Sequence, residues 1–125
     1  LLTRFHNFDI ETDVEPELIR FTSTGKYAFG ELFEFLGYVK SEATRSERSR
    51  VLIDCRQLVG AMTEAERFQG GQKIAELFGS RLKLALLMPP AGMTKLGELT
   101  ATNRGARFLV TNSESEALEW LAANS

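Results

Sequence analysis

Apolar and polar positions change period several times along this chain, and each change marks an element. Phe8-Asp9-Ile10-Glu11-Thr12 alternates weakly, as a half-buried strand does, and Leu18-Ile19-Arg20-Phe21-Thr22 is a second strand, richer in β-formers. Glu15-Pro16-Glu17 between them reads as a turn, so the two form a short antiparallel hairpin. After Thr24-Gly25-Lys26 the period lengthens. From Tyr27 to Ala43 the residues Phe29, Leu32, Phe33, Leu36, Val39 and Ala43 recur at helical spacing, with Phe35 and Tyr38 off that face. A polar connector, residues 44–50, leads to Val51-Leu52-Ile53, an apolar run suited to an inner strand covered on both sides.

Asp54-Cys55-Arg56 ends that run, and the segment from Asp54 to Met62 reads as a loop. Thr63-Glu64-Ala65-Glu66 matches a capping box: the Thr hydroxyl accepts an orphan N–H and Glu66 reaches back. The helix it opens runs to Phe78 and stops at Gly79. Gly70-Gly71 lies inside it, where each Gly costs up to ~1 kcal/mol relative to Ala unless a close backbone contact offsets it. Leu82 to Met88 is another inner strand, stopped by Pro89-Pro90. Thr94 to Asn103 is a shorter helix, Arg107 to Thr111 the last strand, and Ser113-Glu114-Ser115-Glu116 a second capping box for a closing helix with Ala117, Leu118, Leu121 and, at its edge, Trp120. The order β-β-α-β-α-β-α-β-α predicts an α/β domain spanning residues 1–125, with about five strands in a mixed sheet and four helices.

Composition narrows the function more by exclusion than by pointing. The chain has 125 residues, 43% hydrophobic and 26% charged, which is globular and enough for a real core. A formal net charge of −2 argues against nucleic acid as the partner. One Cys and one His leave no zinc ligand set and no internal disulfide, which fits a reducing, cytoplasmic setting. No apolar run approaches the ~20 residues of a membrane span, no nucleotide-binding glycine fingerprint is present, and no cofactor is implied.

The chemistry-bearing residues gather around the turn after the Val51 strand. Asp54 stands at the carboxyl end of an inner strand, the usual ligand position in open sheets, and equally suits a brace that accepts loop N–H groups. Cys55 lacks a nearby base and reads as a small buried hydrophobe. Thr63 reads as an N-cap; phosphate there would meet the positive end of the helix dipole. Arg56, Gln57 and Glu64 supply polar contacts on the same turn. Phe35, Tyr38 and Trp120 lie at helix edges, where they widen the core, line an apolar pocket or form an interface.

Val51-Leu52-Ile53-Asp54, Thr63-Glu64-Ala65-Glu66 and Ser113-Glu114-Ser115-Glu116-Ala117-Leu118-Glu119-Trp120-Leu121 together resemble the STAS family, and most closely its SpoIIAA-like branch. The resemblance implies a regulator that binds a protein partner, as bacterial anti-sigma factor antagonists do. It also implies a phosphoacceptor at Thr63, although Met62-Thr63-Glu64-Ala65 lacks the acidic residue before and the Gly after the family's phosphorylatable pair. The expected function is therefore a non-catalytic regulatory or protein-binding module, with Asp54, Arg56, Gln57 and Glu64 as its contact loop. The alternative is a carrier of a small hydrophobic molecule or lipid, motivated by the apolar helix after Tyr27. A homodimer is a further expectation, from the off-face aromatics.

Overall fold

The computed structural model describes residues 1–90 and 94–123. Among these residues, six strands form one sheet: β1 (Leu2–Arg4), β2 (Phe8–Val14), β3 (Ile19–Lys26), β4 (Arg50–Val59), β5 (Lys83–Leu87) and β6 (Arg107–Thr111). Four helices among the described residues accompany them: α1 (Phe29–Arg45), α2 (Glu64–Phe78), α3 (Leu96–Thr102) and α4 (Glu114–Ala122). The strands lie side by side in sequence order, β1 to β3 antiparallel and β3 to β6 parallel. The mixed α/β architecture is the expected one, with six strands in place of about five. The extra strand, β1, has three residues and pairs Leu2 with Glu11 and Arg4 with Asp9. Three residues are too few to show an alternation.

Strands added in one direction by crossovers of one hand put their helices on one face. The core is divided accordingly. Ile10, Ile19, Phe21, Val51, Ile53, Leu84 and Val110 pack beneath α1 and α2, with Phe35, Leu36, Val39, Ile74 and Phe78 from the helices. On the other face, Leu52, Ala85 and Leu87 meet Ala117 and Leu121 of α4. Small residues let α4 approach β5 closely, whereas α1 and α2 stand further from the strands they cover. The buried stripe of α1 is Phe35, Leu36, Val39 and Ala43, while Phe33 is 40% exposed. The helix is thus rotated from the face read in its sequence. An aromatic hairpin draws it round: the Phe35 ring sits edge-on to Phe8 at 5.7 Å and to Phe5 at 6.3 Å.

Lys83 is almost fully buried at the start of β5. Its ammonium donates to the carbonyls of Trp120 and, at 2.9 Å, Ala123, and it lies 4.6 Å from the centre of the Trp120 ring. A cation there satisfies the last carbonyls of α4 and the negative end of its dipole.

Helix α2 is framed at both ends as its sequence requires. Thr63 Oγ1 accepts from Glu66 N at 3.1 Å and Glu66 Oε1 accepts from Thr63 N at 2.9 Å, completing the capping box. Gly79, at φ 54°, ends the helix. In the second expected box only one half forms, Glu116 N donating to Ser113 Oγ at 3.2 Å. Inside α2, Gly71 faces α3: a Cβ on it would lie 2.6 Å from Gly97 O and 2.8 Å from Thr100 Cβ. The close backbone contact that offsets a mid-helix glycine is therefore present at Gly71. At Gly70 a Cβ would meet nothing closer than Leu32 Cδ2 at 3.5 Å. Gly70→Ala should stabilise the fold by about 0.5–1 kcal/mol, and Gly71→Ala should destabilise it by about 1–3 kcal/mol. Urea midpoints of the two variants check this; a loss of stability at Gly70 or a gain at Gly71 contradicts it.

Candidate functional site

Two features meet at the carboxyl ends of the parallel strands: a charged cluster toward α4, and an apolar cavity toward α1 and α2. A bulge in β4 separates them. Between the pairs Thr22–Asp54 and Thr24–Gln57, two residues of β4, Cys55 and Arg56, stand opposite one residue of β3, Ser23. The strand continues to Val59, so Asp54, Arg56 and Gln57 lie within β4, and the loop shrinks to residues 60–63. Polar residues are tolerated in this strand because their charges are paired.

Asp54 is 6% exposed and is held by Arg56 alone three times over. Arg56 N and Nε both donate to Oδ1 at 3.0 Å, and Nη2 donates to Oδ2 at 2.8 Å. Nη2 also donates to Glu114 Oε1 at 3.0 Å in the first turn of α4, and Arg20 Nη1 lies 3.7 Å from Glu114 Oε2. Burial alone would raise the Asp54 carboxyl. The hydrogen bonds from the Arg56 side chain and backbone, followed by the charges of Arg56 and Arg20, outweigh it and hold the group below its ordinary value. The cluster fastens β4 to α4. Gln57 and Glu64 are exposed and point no charge into it.

Cys55 faces the other way. Burial first, and then the charge of Asp54, push its thiol up to about 12, with the neighbouring Ser23 hydroxyl pulling against that rise. A thiol so protonated is a poor nucleophile. It lines a cavity of about 360 Å³ between the sheet and helices α1 and α2. The walls are mostly apolar: Leu32, Phe35 and Leu36 from α1, Ile53 and Leu58 from β4, Ile74 from α2, Leu84 and Leu86 from β5, Phe108 and Val110 from β6. The bulge shifts the alternation, so that Cys55 and Leu58 both reach this side. Among the lining residues, Gly60, Ala61 and Thr94 are exposed, which puts the mouth at the carboxyl ends of β4 and β5.

The three aromatics singled out in the sequence do not share one site. Phe35 lines the cavity. Tyr38 turns toward the β1–β2 edge, its hydroxyl 3.0 Å from both Thr3 Oγ1 and Thr12 Oγ1. Trp120 packs on the opposite face of the sheet with α4. Phe35 and Tyr38, which suggested self-association, are both committed within the chain. Thr63 is exposed and caps α2. Tyr27 and Arg67, which line the cavity, were not singled out from the sequence. The signal was present for Arg67: it shares a stripe with Gly70, Gly71 and Ile74, so a cation was aimed inward.

The fold is shared with solved structures. An anti-sigma factor antagonist from Mycobacterium paratuberculosis matches with a TM-score of 0.62 and 11% identity, over 93% of this chain and 95% of that one. An uncharacterised protein of the DUF3478 family from Shewanella loihica, with a SpoIIAA-like fold, matches with a TM-score of 0.53 and 17% identity, over 96% of this chain and 98% of that one. The chain therefore has the SpoIIAA-like fold that its sequence resembles. No protein-family model matches it, and no curated protein matches its sequence. Among the described residues, no helix is long and apolar enough to cross a membrane.

Because Asp54 titrates below its ordinary value, its contribution to stability is complete above about pH 4 and is lost as pH falls through the folded-state value. Asp54→Asn should therefore be less stable than the parent at neutral pH, and the gap should narrow as the pH falls below the ordinary carboxylate value and through the lower folded-state one. Arg56→Met, which strands a buried carboxylate, should lose about 1–3 kcal/mol. Urea denaturation across pH measures both; a gap that stays constant with pH removes Asp54 from this role.

Proposed function

We propose that this SpoIIAA-like domain works by binding, without catalysis, and that the cavity beneath α1 and α2 holds a small apolar ligand. The observation that carries the reading is the cavity itself. Its volume of about 360 Å³ lies within the range of small-molecule sites, and its walls are apolar with a few polar groups near the mouth. Its mouth lies at the carboxyl ends of parallel strands, where open α/β sheets bind ligands.

A regulatory role fits the same geometry. Gly60, Ala61 and Met62 form one wall of the cavity and are also the loop that leads into the cap of α2. A protein partner docking on that loop, with Gln57 and Glu64 exposed beside it, would read whether the cavity is filled. One solved structure of this fold is an anti-sigma factor antagonist, which supports a regulatory reading. Arg56 is a brace more than a contact, since Asp54 and Glu114 occupy its Nε and Nη2. Docking here is constitutive with respect to Thr63. Glu64 and Glu66 already bring negative charge to the first turn of α2, so a phosphate on Thr63 would be repelled there. Catalysis is disfavoured by the buried, protonated Cys55 and by the commitment of Asp54 to Arg56.

Native mass spectrometry of the gently purified chain should show a noncovalent adduct of low mass. Gly70→Leu should abolish that adduct with the melting temperature unchanged or raised, because the new side chain fills cavity space and improves helix propensity. An adduct-free parent, together with a lower melting temperature for Gly70→Leu, would mean an interior already packed and would end the reading.

A further inference from the structure

One corner of the cavity is polar. Tyr27 lies there, just before α1, beside Gly60. Its hydroxyl is buried and has no hydrogen-bond partner among the described residues. Buried phenols ordinarily find one. Burial, and then the charge of Glu66, raise this phenol well above its ordinary value against the opposing pull of Arg67, so it is a neutral O–H donor. Arg67 lies close enough for its charge to act on that hydroxyl, and its side chain is only 11% exposed. Arg67 Nε donates to Met62 O at 3.3 Å and Nη1 to Thr94 Oγ1 at 3.0 Å, which fixes the guanidinium at the mouth. Its acidic neighbour, Glu64, is 3.9 Å away and 69% exposed, a pairing that solvent screens. Nη2 donates no hydrogen bond among the described residues. A neutral donor and a cationic donor, neither with a partner among the described residues, thus stand at the entrance to an apolar cavity.

We propose that the ligand is a single-chain amphiphile with a carboxylate head, the head taken by Tyr27 Oη and Arg67 Nη2 and the chain lying against Ile74, Leu86, Phe108 and Val110. This rests on the cavity being a binding site, and adds the chemistry of its occupant. A carboxylate has two acceptor oxygens and one negative charge, which matches one O–H donor and one cationic N–H donor. A phosphate brings more charge and more oxygens than these groups satisfy, next to Glu64 and Glu66. An alcohol head would leave the largely buried guanidinium with only the solvent-screened Glu64 as its counter-charge.

Calorimetric titration of the purified chain with three decyl compounds, decanoate, decanol and decyl phosphate, and with octanoate for comparison tests this. Decanoate should bind about tenfold or more tighter than decanol, and about tenfold tighter than octanoate because of its longer buried chain. Arg67→Gln should bring decanoate down to the affinity of decanol while leaving decanol unchanged, which also shows that the variant is folded. Tyr27→Phe should weaken decanoate and spare decanol. Equal binding of decanoate and decanol by the parent, indifference to Arg67→Gln, or tighter binding of decyl phosphate would overturn the carboxylate assignment while the cavity reading stood. Binding of none of the three would sink both.

Discussion

The contact between Gly71 and the backbone of Gly97 sets how the helical layer sits. A side chain at that point would collide with Gly97 O, so α2 is locked sideways against α3. Its start is fixed independently by the Thr63–Glu66 box and its end by Gly79. Between α2, held in this way, and α1, whose Phe35 ring packs edge-on against Phe8, the helical layer leaves a space above the sheet. That space is the cavity. A dry, closed void of 360 Å³ would cost on the order of 9 kcal/mol at ~24 cal/mol per Å³. That is comparable with the whole net stability of a domain this size. Such a space has to be reached by water or taken up by an apolar molecule, and apolar walls favour the second.

The β4 bulge decides which chemistry goes to which side. Without the extra residue, the alternation after Asp54 would carry Leu58 to the α4 face. With it, Leu58 joins Cys55 in the cavity wall while Asp54 and Arg56 remain toward α4. The bulge thereby keeps a buried ion pair and an apolar pocket within three residues of each other along one strand, with the sheet between them. Lys83 plays a related part at the other end of the sheet, where its ammonium ties β5 to the last turn of α4. The two buried charges among the described residues, Asp54 and Lys83, both serve to anchor α4, whereas the α1–α2 side holds the cavity.

Much of this was legible from local patterns. The Val51 and Leu82 runs, the Thr63–Glu66 box and the Gly79 stop are signals contained in a few adjacent residues, and each has its expected place in the fold. What local reading missed depends on partners distant in sequence. Asp54-Cys55-Arg56-Gln57 looks like a loop because three of its four residues are polar; it is a strand because Arg56 neutralises Asp54 and reaches Glu114, 58 residues away. Phe35 looked peripheral to α1 until the rings of Phe5 and Phe8 claimed it. The charge of Arg67 within a Gly–Gly–Ile stripe was readable, but its companion Tyr27 sits on another element, and only the fold brings the two together.

The loop of residues 60–62 gives the proposed ligand a way to matter to a protein partner. A ligand shifts a conformational equilibrium only by its difference in affinity between the two states. A tail buried deep against Phe108 and Val110 contributes affinity without such a difference, since those strands are fixed. The head is different. Arg67 Nε holds the Met62 carbonyl and Nη1 holds Thr94, so an anion that draws the guanidinium inward acts directly on the loop that precedes the α2 cap. Chain length then sets how tightly the molecule is held, and head chemistry sets whether its presence is felt outside. A carrier needs only the first property; a regulator needs both, and this site has a residue placed for each.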